Sequence, residues 1–138
     1  MNAGGQILLI DDDVIDIRSF ERGLSRAGLG HRLVSLTNGH EALSGLQTGN
    51  VPIPDVIVLD LNMPGMSGFE FLSALRQDER LCFLPVWVLS TSSDPDDIRR
   101  AYDLNAAGYM VKQEMGDNFA EVIKLINHYL SVIQLPGA

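Results

Sequence analysis

The sequence predicts an α/β fold in which a parallel β-sheet is covered by helices on both faces. Helical patterns alternate with short apolar runs throughout the chain, the order typical of repeated βαβ units. The apolar runs have the length and β-branched content of buried parallel strands. With 138 residues, the chain has the length of one domain. We predict strands at 7–10, 32–36, 56–59, 86–89 and 109–111.

The helices are predicted from apolar periodicity and from their end signals. Asp13 precedes the first helix and Gly28 ends it, while Asn38 and Gly49 bound the second. The fourth opens at Ser93-Asp94-Pro95, where a cap residue stands before a proline. We predict helices at 14–27, 40–48, 67–77, 95–105 and 117–133.

The last helix carries more apolar residues than contact with one sheet requires. One face presents Phe119, Val122, Ile123, Ile126, Leu130 and Ile133. A second stripe, Leu125, Tyr129 and Val132, lies off that face. Because exposed apolar patches mark interfaces, we expect a homodimer through the C-terminal half, extended by Tyr102 and Tyr109. The alternative is that the stripe packs under the tail 134–138.

Composition excludes several classes of protein. A net charge of −8 argues against nucleic-acid binding, which usually requires a basic face. The sequence contains no apolar run near 20 residues, so no transmembrane helix is expected. The N-terminus lacks the basic start and apolar stretch of a signal peptide. Cys82 is the only cysteine, which suits the reducing cytoplasm where we expect the protein.

Polar residues follow four of the predicted strands at the point where each strand ends. They are Asp11, Asp12 and Asp13, then Asp60, then Ser90 and Thr91, and finally Lys112. The carboxyl ends of parallel strands share one crevice, so these side chains are expected to converge. Asp13 is the exception, since it is expected to cap the first helix. A carboxylate cluster, a hydroxyl and an ammonium together suit a divalent cation and a phosphoryl group.

Mg²⁺ is the cation expected there, because it prefers oxygen ligands and is typically held by one or two carboxylates. Asp12 and Asp60 are the best direct ligands, and Asp11 is expected to act through water. A carboxylate beside Mg²⁺ and an ammonium is also a workable nucleophile towards phosphorus, giving an aspartyl phosphate. Lys112 and the Ser90 hydroxyl would position the phosphoryl group and neutralise its charge.

Four segments, in this order, resemble the response regulator receiver family. They are Ile-Leu-Leu-Ile-Asp-Asp-Asp, Val-Leu-Asp-Leu-Asn-Met-Pro-Gly-Met-Ser-Gly, Pro-Val-Trp-Val-Leu-Ser and Gly-Tyr-Met-Val-Lys. The resemblance implies a doubly wound, flavodoxin-like sheet of five strands in the order 2-1-3-4-5. It also implies that Asp60 accepts a phosphoryl group from a sensor histidine kinase.

The resemblance assigns further roles to matching residues. Asp11 and Asp12 match the acidic pair, Ser90 the switch hydroxyl and Lys112 the phosphate-binding lysine. Tyr109 matches the aromatic switch position. It lies three residues from Lys112 and therefore points to the opposite face of the sheet. The family's third protein ligand to Mg²⁺ is a backbone carbonyl, which falls here on Asn62.

Two positions depart from the family pattern. Gln113 replaces the proline that usually follows the lysine in a cis peptide. A cis bond costs roughly 3–4 kcal/mol without proline, so we expect this loop to be rebuilt. Thr91 replaces a usual Ala or Gly, and its bulk is expected to restrict access to the phosphate. The sequence around these positions is similar to stand-alone regulators paired with phytochrome-type kinases.

We therefore expect one receiver domain with no output domain, a phosphoacceptor that signals through protein contacts or onward phosphotransfer. One alternative is an aspartyl-phosphate phosphatase or phosphotransferase. Such enzymes commonly place an acid two residues after the nucleophile, where this chain has Asn62, so at most slow self-dephosphorylation is expected. Asn62, Thr91 and Ser92 would border the path of water. The second alternative is a pseudo-receiver that is never phosphorylated.

Overall fold

The computed structural model describes residues 4–134. Their five strands form one parallel sheet in the order β2-β1-β3-β4-β5. The strands are β1 Gln6–Ile10, β2 Arg32–Leu36, β3 Val56–Leu59, β4 Val86–Ser90 and β5 Gly108–Val111. The helices are α1 Val14–Ala27, α2 Gly39–Thr48, α3 Gly68–Gln77, α4 Pro95–Asp103 and α5 Ala120–Val132. The predicted fold class and strand order are confirmed.

Side chains alternate between two apolar cores, one on each face of the sheet. Ile57 and Leu59 of β3 pack in the core that also contains residues of α2, α3 and α4. Val56 and Val58 point the other way, into the core formed with α1 and α5. All four are fully buried, which fixes the register of the central strand because a slip of one residue would reverse both faces.

The predicted helix ends are largely confirmed by the observed caps. The side chain of Asp13 accepts hydrogen bonds from the N–H groups of Ile15 and Asp16, and Gly28 ends α1 with φ of 62°. Asn38 caps α2 in the same way as Asp13 caps α1. Within residues 4–134, no helix is both long enough and apolar enough to cross a membrane.

The fourth helix is shorter than predicted: it ends at Asp103 instead of Asn105. Asn105 has φ of 63°, in the left-handed region that breaks a helix. The guanidinium of Arg76, on α3, donates to the carbonyl oxygens of Leu104 at 3.0 Å and Asn105 at 2.8 Å. These bonds between α3 and the end of α4 satisfy carbonyls that would otherwise lack partners.

The fifth helix begins at Ala120, three residues later than predicted. Asn118 and Phe119 have φ of 53° and 55°, so the chain turns before the helix starts. This turn rests on α1: the Phe119 ring lies 6.1 Å from that of Phe20. A Cβ at Gly23 would lie only 2.0 Å from the carbonyl oxygen of Asn118, so only glycine allows this approach. Contact with α1 therefore overrides the helical periodicity of residues 117–119.

The two predicted stripes of α5 are only partly confirmed. Leu125 and Val132 are 39% and 59% exposed, as the prediction of a second stripe requires. Tyr129 instead is half-buried, and its ring packs edge-on at 5.5 Å from Trp87 of β4. Ile133, predicted to face the sheet, lies beyond the end of α5 and is 41% exposed. The tail 135–138, which the alternative interpretation invokes, lies outside the described residues.

Candidate functional site

The predicted site residues converge at the carboxyl edge of the sheet. Ile10 pairs with Leu59, so Asp11 and Asp60 leave neighbouring strands at the same level. Ser90 pairs with Val111, which places Lys112 one residue beyond Ser90 on the next strand. The parallel register therefore assembles the carboxylates, the hydroxyl and the ammonium in one crevice.

Three carboxylates form a compact cluster in that crevice. Asp11, Asp12 and Asp60 each offer an oxygen atom, and these atoms lie within 4.8 Å of one another. Asp11 and Asp60 are only 2% and 5% exposed, whereas Asp12 is exposed. Oxygen atoms at this spacing, with one side open to solvent, fit the ligand preference of a hard divalent cation.

The Lys112 side chain extends into the site, and its neighbours include a carboxylate that was not predicted from the sequence. Its Nζ atom lies 2.8 Å from Asp11, 2.7 Å from Asp16 and 3.8 Å from Asp60. Asp16 was missed by the sequence analysis. The available signal was its place in the first turn of α1, which directly follows the β1 carboxylates and so lies beside the strand ends.

The two buried carboxylates are held by different numbers of hydrogen bonds. Asp11 accepts from the Lys112 ammonium through one oxygen and from the Asp13 N–H, at 2.9 Å, through the other. Asp60 accepts only a long contact of 3.5 Å, from the Asn62 N–H. Among the described residues, Asp60 is therefore the less satisfied of the two, and the more available to a ligand.

Burial and mutual repulsion alter the titration of the site. Burial, followed by repulsion from Asp11, raises the pKa of Asp60 to about 6, although Lys112 opposes the shift. Burial also raises the pKa of Asp11. For Lys112, burial alone would lower the pKa, but its hydrogen bonds to Asp11 and Asp16 outweigh that effect and raise it. The site therefore holds a permanent ammonium and an excess of carboxylate charge.

The hydroxyl side of the crevice connects to β5 through one backbone segment. Ser90 is fully buried and its Oγ accepts from the Ser92 N–H at 3.2 Å. The Tyr109 hydroxyl donates to the Ser92 carbonyl at 2.8 Å. Tyr109 packs against the α2–α4 core while its neighbour Met110 belongs to the other core, as strand alternation predicts. Ser92 thus touches both predicted switch residues.

The loop after Lys112 differs from the pattern that proline would impose. No peptide bond within residues 4–134 is cis, and Lys112–Glu114 form a 3₁₀ turn. The Gln113 side chain donates to the Thr91 carbonyl at 3.3 Å, which ties this turn to the end of β4. The Thr91 and Asn62 side chains are both exposed at the rim of the crevice.

Comparison with known proteins matches this architecture. Residues 7–124 match the model of the response regulator receiver domain. Response regulator Rcp1 of Synechocystis sp. is 34% identical over 137 residues, which cover 96% of this chain and 93% of that protein.

Two crystal structures are similar over nearly their whole length. The phosphorylated cyanobacterial phytochrome response regulator RcpA has a TM-score of 0.85 at 33% identity, covering 98% of this chain and 100% of that one. The Mn²⁺-bound form of Rcp1 has a TM-score of 0.80 at 31% identity, covering 96% and 99%. Receiver domains bind a divalent metal at this acidic cluster and receive their phosphoryl group from a kinase. On this sequence match and this fold, the chain belongs to the response regulator receiver family of two-component signalling.

Proposed function

We propose that this protein accepts a phosphoryl group on Asp60 from a sensor histidine kinase, in the presence of Mg²⁺. It then signals through contacts with a downstream protein or passes the phosphoryl group on. The observation that carries the proposal is the position of Asp60. Its buried carboxylate accepts one long hydrogen bond, and it lies beside two other carboxylates and the Lys112 ammonium.

The chemistry is a direct displacement at phosphorus. An Asp60 oxygen attacks the phosphorus of a phosphohistidine, the new P–O bond forms, and the P–N bond breaks as the imidazole leaves. Lys112, whose Nζ lies 3.8 Å from Asp60, neutralises charge on the transferred group. The Ser90 hydroxyl, at the end of the neighbouring strand, donates a hydrogen bond to it.

The donor set supports Mg²⁺ as the resident ion. Asp12 and Asp60 would bind it directly, together with the backbone carbonyl of Asn62. Both Asp11 oxygens already accept hydrogen bonds, which favours contact through water for this residue. When bound, the ion supplies positive charge beside the phosphoryl oxygens and relieves repulsion among the carboxylates.

The proposed switch runs from Ser90 to Tyr109. Movement of Ser90 towards a phosphoryl group would disturb the hydrogen bond that its Oγ accepts from Ser92. Because Ser92 also accepts from the Tyr109 hydroxyl, the disturbance reaches a half-buried aromatic side chain at the protein surface. Partner choice can then depend on phosphorylation.

A phytochrome-type photoreceptor kinase is the phosphodonor we propose. Support comes from RcpA, which is described as a cyanobacterial phytochrome response regulator and is similar over almost the whole chain. Dependence on such a kinase, together with a single cysteine, fits a protein of the cytoplasm.

Slow loss of the phosphoryl group is also proposed. Receiver domains are signalling modules and not turnover enzymes, and the rim residues Asn62, Thr91 and Ser92 include neither an acid nor a base. Hydrolysis of the aspartyl phosphate would therefore lack general acid–base assistance from these positions.

A homodimer through the C-terminal half is the last part of the proposal. The exposed side chains of Leu125 and Val132 on α5, with Tyr102 on α4, support an apolar interface. Tyr129 contributes less than its sequence position suggests, because its ring packs on Trp87. Tyr109 lies on β5, which packs against both α4 and α5, so the switch would border the interface.

Phosphorylation at Asp60 is tested with acetyl phosphate and Mg²⁺, followed by intact-mass measurement. The wild type should gain one phosphoryl group, and Asp60→Asn should gain none because the nucleophile is removed. The control, Asp103→Asn, alters an exposed carboxylate of α4 and should label like the wild type. A full adduct on Asp60→Asn would place the nucleophile elsewhere. Rapid turnover without an adduct would favour an enzyme, and an unlabelled wild type would favour a pseudo-receiver.

Metal binding is tested by melting Asp12→Asn with EDTA and with Mg²⁺. The folded pKa of Asp60, about 6, exceeds its ordinary value of 3.8, so ionisation of Asp60 destabilises the metal-free fold as pH rises through this window. The charge of Asp12 adds to the repulsion on ionised Asp60. At pH 7.5 in EDTA, Asp12→Asn should therefore melt a few degrees higher than the wild type, with a free energy of unfolding about 0.5–1 kcal/mol larger.

This gain should shrink as pH falls through about 6, where Asp60 becomes neutral. Mg²⁺ should stabilise the wild type by mass action and stabilise Asp12→Asn much less. An undiminished response to Mg²⁺ would remove Asp12 from the ligands.

Phosphate lifetime is tested by comparing adduct decay in the wild type and Thr91→Ala. Removing the exposed side chain at the rim should speed decay several-fold if Thr91 crowds the path of water. Thr48→Ala, at the end of α2, is the matched substitution away from the site. Equal or slower decay in Thr91→Ala would rule out crowding.

The dimer is tested by sedimentation of the wild type and of Leu125→Glu, Val132→Glu. We expect the wild type to dimerise at micromolar concentration and the double variant to be monomeric, because charges would enter the apolar interface. Ile53→Glu, Phe83→Glu is the control, since it places the same charges at exposed apolar sites outside α4 and α5. A wild type that stays monomeric at high micromolar concentration excludes the dimer.

A further inference from the structure

The Lys112 ammonium lies among three carboxylates at unequal distances. An ammonium has three N–H donors. Two of them are engaged by Asp11 and Asp16, at 2.8 and 2.7 Å. Asp60 lies 3.8 Å away, beyond hydrogen-bond distance. Lys112 is therefore held short of the carboxylate that the proposed function makes the phosphoacceptor.

Asp11 and Asp16 differ in what holds them in place. Asp11 follows β1, is 2% exposed and also accepts from the Asp13 N–H, so its position is fixed by the sheet. Asp16 stands on α1, and its side chain is 26% exposed. A carboxylate with that access to water does not need an ammonium for its own solvation. We therefore interpret its short contact with Lys112 by its effect on the position of the lysine.

We propose that Asp16 is a positioning residue, whose carboxylate holds the Lys112 ammonium away from Asp60 and so keeps Asp60 open to a divalent cation. The inference rests on the proposed function, because that function gives Asp60 and the metal their roles. Asp16 is not a metal ligand in this scheme, and it acts only through the lysine.

The consequence of losing Asp16 follows from the charges that remain. The freed N–H donor would have Asp60 as its nearest carboxylate without a strong partner, about 1 Å farther than a typical hydrogen bond. Both side chains are almost fully buried, so approach of the Lys112 ammonium to the Asp60 carboxylate is electrostatically favourable. A closed Lys112–Asp60 pair would compete with the cation for the same carboxylate.

Loss of the Asp16 charge also weakens cation binding through space. The experiment must therefore separate this direct electrostatic effect from the effect of the Asp16–Lys112 contact. Asp117 supplies a matched control, since it lines the same cavity of about 450 Å³ beside Lys112 and is exposed. A double-mutant cycle with Lys112 supplies the decisive comparison. If Asp16 acts through the lysine, its effect must fall when the lysine is absent.

The experiment measures Mg²⁺ dissociation constants by titration calorimetry for the wild type, Asp16→Ala, Lys112→Met and the double variant, since alanine leaves no acceptor for the Lys112 ammonium. Asp16→Ala should weaken binding about tenfold, within the range of couplings between contacting charges. Lys112→Met should tighten binding, because it removes the competing cation. In that background, only a through-space effect of about two- to threefold should remain for Asp16→Ala. Asp117→Ala should show a similarly small effect, and Asp16→Glu should restore much of the wild-type affinity.

A crystal structure of metal-free Asp16→Ala gives an independent readout. The distance from Lys112 Nζ to Asp60, now 3.8 Å, should shorten to hydrogen-bond range. Melting in EDTA verifies that each variant is folded, and Lys112→Gln replaces Lys112→Met if the latter does not melt cooperatively.

Equal effects of Asp16→Ala with and without the lysine would overturn the role of Asp16, as would an unchanged Lys112–Asp60 distance in Asp16→Ala. Neither result would affect the proposed function. Failure of the wild type to bind Mg²⁺ would overturn both, so the two failures are distinguishable.

Discussion

The burial of Asp11 and Asp60 beside a single ammonium is the constraint on which the rest of the structure depends. Two carboxylates that are 2% and 5% exposed repel each other where water screens them little. Lys112 offsets only part of the cost of burying them, since burial still raises the pKa of both acids. Packing of the two cores must supply the remaining free energy. The fully buried residues of β3, which belong to both cores, lead directly into Asp60.

The uncompensated charge gives the site its affinity for ligands. A fold that satisfied Asp60 with several strong hydrogen bonds would be more stable, but its carboxylate would be a poor nucleophile and a poor metal ligand. Here Asp60 receives one long contact from Asn62, and Lys112 is drawn towards Asp11 and Asp16. The stability given up at this edge of the sheet is recovered only when a cation enters, so metal binding and folding are linked.

The sequence predicted what local and periodic rules determine. Buried strands ending in polar residues located the crevice, and cap residues such as Asp13 located the helix ends. It did not predict features set by contacts between distant segments. The start of α5 depends on Gly23, which admits the Asn118 carbonyl against α1. The end of α4 depends on hydrogen bonds from Arg76, 28 residues before Leu104. Neither contact leaves a periodic signal.

Asp16 and Tyr129 show the same limit within functional surfaces. Each lies on the expected helix, but its partner comes from a different element: Lys112 after β5 for Asp16, and Trp87 on β4 for Tyr129. Residues on one helix can be assigned to a face from spacing alone, whereas the partner across the interface depends on how two elements cross. Sequence patterns therefore identify the carboxylate cluster better than the partners that its neighbours contact.

Residues of the site also contact helices on both faces of the sheet. Lys112 and Asp16 connect it to α1, while Ser90, Ser92 and Tyr109 connect it towards α4. The Ser92 hydroxyl donates to Asp97 of α4 at 2.6 Å, so the backbone segment that serves Ser90 is anchored to that helix. On the proposed function, a phosphoryl group on Asp60 would draw on Lys112 from one side and on Ser90 from the other. One covalent change can then alter both faces, because the packed strands of the sheet join them and the loops at the strand ends are the segments free to move.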